Sequence, residues 1–438
     1  MKLEDINQRL FSGEIGERGV FPHLDQLADR PFRFDIEFGL DKLPEEPGVL
    51  LVRGPRQYGK STWLEHELRA TIEKFGPATA FYVNGDFVQD AEALETELEE
   101  LATLFRADAA VKRLFIDEIT AVSGWEIVLK RTIDRGTLRD VLVVTTGSKA
   151  SDLRRGSERL PGRKGRLART TYLFTPISYA QFEDRCRESI DGDPVIAYML
   201  AGGCPLACAE IATTGVIPEY VAEMIRDWVY GECAGSGRSR SSLVAVMKTL
   251  LQRGGTPVGQ AQLARESGLA NNTVAAGYVE LLADLLCLGV SRAWDASRKV
   301  EVTRKRAKYP FINTLAASAW SENQPRAVGD FAALSEVEQG KWIEWLVAQE
   351  LWRRRAIAGT EFPENLPYWQ GEKHEIDFVG SSQEHIEVKR TTGDPRQFAW
   401  FPRSFPKGRL TVVGDKPFET DRIRGVTLAA FMRGADHE

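Results

Sequence analysis

Short apolar runs, each closed by turn-forming residues, punctuate the first part of the chain. Gly48–Arg53, Ala78–Asn84, Arg113–Glu118, Asp140–Ser148 and Tyr172–Phe174 read as buried strands. Helical periods lie between them. Thr62–Leu68 opens one amphipathic helix, and Asp90–Phe105 carries Leu94, Leu98, Leu101 and Leu104 at helical spacing. Strands alternating with helices predict a parallel sheet covered on both faces. Ahead of this pattern, residues 1–45 read as a helical lead-in that closes at Pro44-Glu45-Glu46-Pro47.

From about residue 176 the periodicity becomes helical. Gly259–Ala264 predicts one helix; Glu266–Ala270 makes a glycine turn, and Asn271-Asn272-Thr273 caps a second helix that runs through Tyr278, Leu281, Leu282 and Leu285. This pattern is that of a helix-turn-helix, with Cys287–Val290 and Val300–Val302 as candidate wing strands, or of an ordinary helical pair. Beyond Gly340 a helix and several short strands follow. Ala234–Arg240 is the best candidate for a flexible linker, and no internal repeat is evident.

The expected division is therefore 1–45 lead-in, 46–178 nucleotide-binding core, 179–245 helical lid, 246–325 winged helix-turn-helix and 326–438 C-terminal α/β domain. A chain of 438 residues is long enough for about three domains. A hydrophobic content of 43% with 27% charged residues describes a soluble globular protein. The net charge of −6 excludes a basic coat but not a local basic groove. Five cysteines without paired C-x-x-C spacing indicate no disulfide framework and no zinc site, and Cys204 and Cys208 are expected as buried thiols. The N-terminus lacks a signal-peptide pattern, and no apolar run approaches the roughly 20 residues that span a bilayer, so a cytoplasmic protein without membrane partners is expected.

Candidate chemistry begins at Gly54-Pro55-Arg56-Gln57-Tyr58-Gly59-Lys60-Ser61-Thr62, between a predicted strand and a predicted helix. This is G-x-x-x-x-G-K-[ST], a P-loop in its confirming context. Its backbone N–H groups would cradle phosphate at a helix N-terminus. Lys60 would reach the β- and γ-phosphates of ATP, and the Ser61 hydroxyl would ligate Mg²⁺. Downstream, Asp117-Glu118 closes an apolar strand. Asp117 would hold the hydrated Mg²⁺ and Glu118 would orient or deprotonate the attacking water. Ser148, closing the next strand, stands where a γ-phosphate sensor would. The basic stretch Lys149–Arg166 is open to three interpretations: a solvated loop, a nucleic-acid contact, or a source of an arginine that reaches phosphate in cis or from a second copy of the chain. Arg163 is the candidate for the last role.

The chain resembles the AAA-type ATPases that carry a C-terminal DUF4143 domain. The resemblance rests on Gly54–Ser61, Phe115–Ile119, Trp125 with Leu129-Lys130, Thr146-Gly147-Ser148, Gly162-Arg163, Pro176–Tyr179 and Ala201–Pro205. Tyr58, Thr120 and Asn313 depart from the family pattern. The C-terminal domain has Glu375-Ile376-Asp377-Phe378-Val379, followed by Ile386-Glu387-Val388-Lys389, with Asp377 on one strand and Glu387 and Lys389 on one face of the next. This is similar to the PD-(D/E)XK nuclease core, which implies a restriction-endonuclease-like fold. The resemblance also implies a helix carboxylate, Glu344 with Glu350 as the fallback, and Mg²⁺ or Mn²⁺ held by Asp377 and Glu387, with Lys389 orienting water. Tyr368 and Trp369 are expected in the core rather than stacked on a base.

Together these features predict an ATP-hydrolysing protein that acts on DNA and couples nucleotide state to a metal-dependent nuclease. The domain pairing points to genome defence or mobile-element control. DNA contact would run through Asn271-Asn272-Thr273 and the basic run Arg304–Lys308, which serves equally as a solvated linker. The alternative is a nucleotide-dependent regulatory switch whose nuclease-like fold only binds or dimerises, and a plain transcription regulator is a third. A homo-oligomer is compatible with each.

Overall fold

The computed structural model describes residues 3–147, 167–380, 384–392 and 394–434, and the chain divides into two compact units, Met1–Thr175 and Pro176–Glu438. In the first unit the lead-in forms two helices, α1 (Leu3–Ser12) and α2 (Pro22–Ala28), followed by irregular chain up to the sheet. Strands β1 (Gly48–Arg53), β2 (Ala80–Asn84), β3 (Arg113–Asp117), β4 (Leu142–Gly147) and β5 (Thr171–Leu173) form a parallel sheet in the order β2-β3-β4-β1-β5. Their near-continuous apolar composition follows from burial on both faces. Helices α3 (Lys60–Phe75), α4 (Ala91–Leu104) and α5 (Trp125–Asp134) lie in the connections. Asp90 caps α4, accepting the Glu92 and Ala93 N–H groups at 3.0 and 2.9 Å. Leu94, Leu98 and Leu101 are buried, whereas Leu104, at the last position of the helix, is exposed.

The edge strand β2 would offer an open row of backbone groups, which α1 covers. The Asn7 side chain donates to the Tyr82 carbonyl at 2.8 Å and accepts the Tyr82 N–H at 2.9 Å, acting as one rung of an extra strand. Arg113, at the start of β3, ties down the irregular lead-in by donating to the Leu43 and Pro44 carbonyls at 3.1 and 3.0 Å.

The second unit opens with helices Tyr179–Cys186, Pro194–Ala201, Pro205–Thr214, Glu219–Gly235 and Arg240–Gln252. The expected flexible linker at 234–240 is instead a tight helix–helix turn. The Arg238 N–H donates to the Cys233 carbonyl at 3.0 Å, the Ser236 hydroxyl donates to the same carbonyl at 2.8 Å, and Ser239 caps the next helix. Small polar residues serve here as caps rather than as slack. Helices Gln260–Glu266 and Asn272–Asp284 follow, with the Asn271 carboxamide accepting the Val274 N–H at 3.0 Å. The antiparallel hairpin after them pairs β6 (Ala293–Asp295) with β7 (Val300–Val302). Cys287–Val290, expected as a wing strand, makes only isolated bridges from Leu288 to Phe311 and from Val290 to Asn365.

The long helix Glu336–Ile357 begins with a capping box between Ser335 and Glu338 and buries residues on every side. After it, the short strands β8 (Trp369–Gln370) and β9 (Glu375–Ile376) pair with each other. β10 (Phe378–Val379), β11 (Glu384–Val388), β12 (Arg409–Gly414), β13 (Phe418–Glu419) and β14 (Ile423–Thr427) form a mixed sheet in the order β10-β11-β12-β14-β13. Its three central strands are parallel and both edge pairings are antiparallel. Ile376, Val379, Phe398, Phe401, Phe405, Leu410, Val412 and Ile423 fill the core beside it. Tyr368 is buried, as expected, and Trp369 stacks on Trp400 with ring centres 5.7 Å apart. All five cysteines are free and buried. Among the described residues no helix is long and apolar enough to cross a membrane.

Candidate functional site

The first site grows from the register of the parallel sheet. Arg53 of β1 pairs with Gly147 of β4, and Asn84 of β2 pairs with Asp117 of β3, so Gly54 and Glu118 leave the same edge of the sheet. In open α/β sheets this carboxyl edge is where ligands bind. Gly54 must be glycine, because a Cβ there would lie 2.6 Å from Phe174 Cβ and 3.0 Å from the Phe174 carbonyl oxygen. Gln57 and Gly59 have φ of 63° and 95°. Such left-handed residues between right-handed ones turn successive N–H groups towards one side, the concavity that receives anions. α3 starts at Lys60, with Ser61 and Thr62 half-buried in its first turn, where the positive end of the helix dipole lies. Pro55 and Tyr58 are buried, while Arg56 and Gln57 are exposed.

Lys60 is only 5% exposed, and its ammonium donates to the Gly54 and Pro55 carbonyls at 3.0 and 2.8 Å. Burial lowers the pKa of this ammonium, against the opposing charges of Glu118 and Asp117. Asp117 is buried at the end of β3 and accepts the Thr146 hydroxyl of β4. The Glu118 N–H donates to the same Thr146 oxygen at 3.2 Å. Thr146 thus fixes both acids of the pair, and Glu118 takes a φ of 46°, an uncommon conformation for a non-glycine residue. Ser148 and Arg163 lie outside the described residues.

One neighbour was not anticipated. His23 of α2 brings its Nδ1 to 2.6 Å from Glu65 Oε1 on α3, and the buried Glu65 also accepts the His23 and Leu24 N–H groups at 2.9 and 3.1 Å. The Glu65 hydrogen bond raises the His23 pKa against its burial, and the charges of Glu65 and Asp117 add to the effect. No sequence signal marks His23, which belongs to a stretch without a motif.

The second constellation lies in the second unit. Asp377, expected within a strand, instead lies at the break between β9 and β10. There one of its oxygens accepts the Val388 N–H at 2.9 Å. Glu387 is in β11 and Lys389 follows the strand end, with Lys389 Nζ 2.5 Å from Glu387 Oε1. Of the two candidates on the long helix, Glu344 joins this group. Glu350 faces elsewhere and holds Arg353 and Arg354, each at 2.8 Å.

Sequence reasoning missed the centre of the cluster. Arg304, Lys305 and Arg306 are exposed, but Lys308 turns inward and is 2% exposed. Its ammonium lies 2.5 Å from Glu375 Oε1, 3.0 Å from Asp377 Oδ1 and 3.5 Å from Glu344 Oε1. Burial works to lower the Lys308 pKa, but Asp377, Glu344 and Glu375 overcome it and raise it. Burial and Asp377 raise the carboxyl pKa values of Glu344 and Glu387, partly offset by the lysines. The available signal was the apolar run Tyr309-Pro310-Phe311-Ile312 directly after Lys308, which marks the chain as entering the core. Among the described residues no group of three or more His, Cys, Asp or Glu side chains is arranged to hold a metal ion. As arranged, the rear carboxylates do not fit a divalent ion.

A P-loop at the carboxyl edge of a five-stranded parallel sheet, with a buried acid closing β3 one strand removed from β1, is the arrangement of a P-loop nucleotide-binding fold. Residues 46–183 match the family model described as AAA domain. No curated protein matches the chain. Solved structures similar to it include the Walker-type ATPase of Pyrococcus abyssi, with 14% identity and a TM-score of 0.43 over 70% of this chain and 96% of that one. A RuvB variant of Thermotoga maritima has 16% identity and a TM-score of 0.32, covering 60% of this chain and 84% of its own. The ORC2 protein of Aeropyrum pernix has 12% identity and a TM-score of 0.34, covering 57% and 82%.

Proposed function

We propose that this protein binds and hydrolyses ATP in its first unit and uses the nucleotide state to control an action of its second unit on DNA. The convergence of Lys60, Asp117 and Glu118 at one sheet edge carries the nucleotide half. The Gly54–Thr62 backbone and Lys60 would hold the phosphates, and Ser61 and Asp117 would hold Mg²⁺, which supplies charge neutralisation on the β- and γ-oxygens. Glu118 would orient water or take its proton, and the Thr146 hydrogen bond to its N–H would keep it at the strand end. Ser148 and Arg163 remain candidates for contact with the γ-phosphate.

The DNA half rests on the helix pair Gln260–Glu266 and Asn272–Asp284 followed by the β6–β7 hairpin, an order of elements compatible with a winged helix. The exposed Arg304, Lys305 and Arg306 just after the hairpin would meet phosphate backbone. For the rear cluster, Glu344, Asp377, Glu387 and Lys389 are the residue types of a PD-(D/E)XK nuclease. The observation that favours the alternative, a nuclease-like binding module without cleavage, is the Lys308 ammonium among those carboxylates. We take the binding module as the better supported of the two.

Two assays test the proposal. Purified protein should hydrolyse ATP with Mg²⁺, and Glu118→Gln should retain ATP binding while losing turnover; full turnover in that variant would remove the assigned role. Incubation of plasmid DNA with Mg²⁺ or Mn²⁺ should leave it intact. Nicking that Asp377→Ala with Glu387→Ala abolishes would establish the nuclease instead.

A further inference from the structure

Both oxygens of Asp377 and one each of Glu375 and Glu344 are already engaged. Asp377 gives one oxygen to Lys308 at 3.0 Å and the other to the Val388 N–H at 2.9 Å. Glu375 meets Lys308 at 2.5 Å and Glu344 meets it at 3.5 Å. Lys308 is not a surface side chain that happened to fold over. Its backbone is locked by reciprocal hydrogen bonds with Ser291, at 2.8 and 2.9 Å, and its ammonium lies 5.6 Å from the centre of the Tyr368 ring, whose hydroxyl donates to the Arg306 carbonyl at 2.9 Å. Glu344 from the long helix, Glu375 of β9 and Asp377 just after it supply carboxylate oxygens, the donor type that hard divalent ions take, but arranged here around an ammonium. An ammonium supplies one positive charge where such an ion supplies two. In keeping with this, Glu387 Oε2 is buried without a hydrogen-bond partner among the described residues, while Oε1 of the same carboxylate is held by Lys389 at 2.5 Å.

We propose that Lys308 is the resident cation of this cluster: its ammonium stands in the seat of a divalent ion formed by Glu344, Glu375 and Asp377, and keeps that seat closed to metal. Removing the ammonium while keeping the side-chain volume converts the same three carboxylates into a divalent-cation site. The inference deepens the binding-module interpretation of the second unit, on which it rests, and the outcomes below separate the two.

The experiment uses the full chain, stripped with chelator and free of nucleotide, with Mn²⁺ alone as the probe. Calorimetric or paramagnetic titration is compared for the wild type, Lys308→Met and Lys308→Met with Asp377→Asn. The expected result is that Lys308→Met gains one Mn²⁺ bound at least about tenfold more tightly than any ion the wild type binds, and that the added Asp377→Asn removes it. Because Lys308→Met leaves buried carboxylates without their cation, its thermal stability is read in parallel. Mn²⁺ should raise the Tm of Lys308→Met and leave the wild type unmoved. A folded Lys308→Met that gains no Mn²⁺ overturns the inference, as does a Lys308→Met whose loss of folding Mn²⁺ does not rescue; both leave the binding-module interpretation standing. Metal-dependent plasmid nicking by the wild type overturns that interpretation as well.

Discussion

Replacing Lys60 by methionine separates what this lysine does for the fold from what it does for the ligand. The ammonium is buried and donates to two carbonyls, at 3.0 and 2.8 Å. Charged-donor hydrogen bonds contribute about 1.5–3 kcal/mol each, so losing both costs about 3–6 kcal/mol. Against this, burying an ammonium costs several kcal/mol, a penalty that methionine escapes. The opposing quantities nearly cancel, and Lys60→Met without nucleotide should sit within about 2 kcal/mol of the wild type. Ligand response should differ sharply. ATP with Mg²⁺ at about one hundred times its Kd should stabilise the wild type by about 2.7 kcal/mol and Lys60→Met hardly at all. Urea denaturation with and without nucleotide measures both quantities. A ligand-free loss well beyond about 3 kcal/mol would mean that the lysine is a structural strut. An undiminished ATP response would mean that the phosphates bind elsewhere.

Gly54→Ala forces a methyl group against Phe174 Cβ at 2.6 Å, and should cost about 1–3 kcal/mol in denaturant titration together with most of the nucleotide affinity. Asn7→Ala removes both side-chain hydrogen bonds to Tyr82 and should cost about 1–3 kcal/mol, with faster amide exchange confined to β2. His23 has a folded pKa raised above 6.5 by Glu65, so the folded chain keeps a proton that the unfolded chain releases as pH climbs past that value. Its stabilising contribution is therefore full below 6.5 and declines as pH rises through the folded pKa, and His23→Gln should flatten this part of the stability profile.

Residues that act within a short stretch were legible. The P-loop is a contiguous motif whose strand and helix flank it directly, so the positions of Gly54, Lys60 and Ser61 between strand and helix could be read before any tertiary contact was known. The alternation of Glu387 and Lys389 likewise predicted one shared face, and the two side chains do meet. By contrast, Glu344 and Glu350 are both acids on one helix, six residues or about one and two-thirds turns apart, and therefore point to different sides. Only the neighbours of that helix assign one to the cluster and the other to Arg353 and Arg354. The expected linker at 234–240 failed for a related reason: glycine and serine are as suited to capping two abutting helices as to a loose tether.

Apolar runs and their spacing by themselves determined the parallel sheet, the glycine-containing loop that opens α3 and the acid pair at the strand end, because each depends on residues within a few positions of one another. The tertiary structure decided which charges meet. Lys308 reaches Asp377 across 69 residues of chain, and His23 reaches Glu65 across 42. Periodicity encodes which face of an element is buried but not which partner waits there. A lysine at the end of a basic run therefore reads as solvated until the fold encloses it among carboxylates.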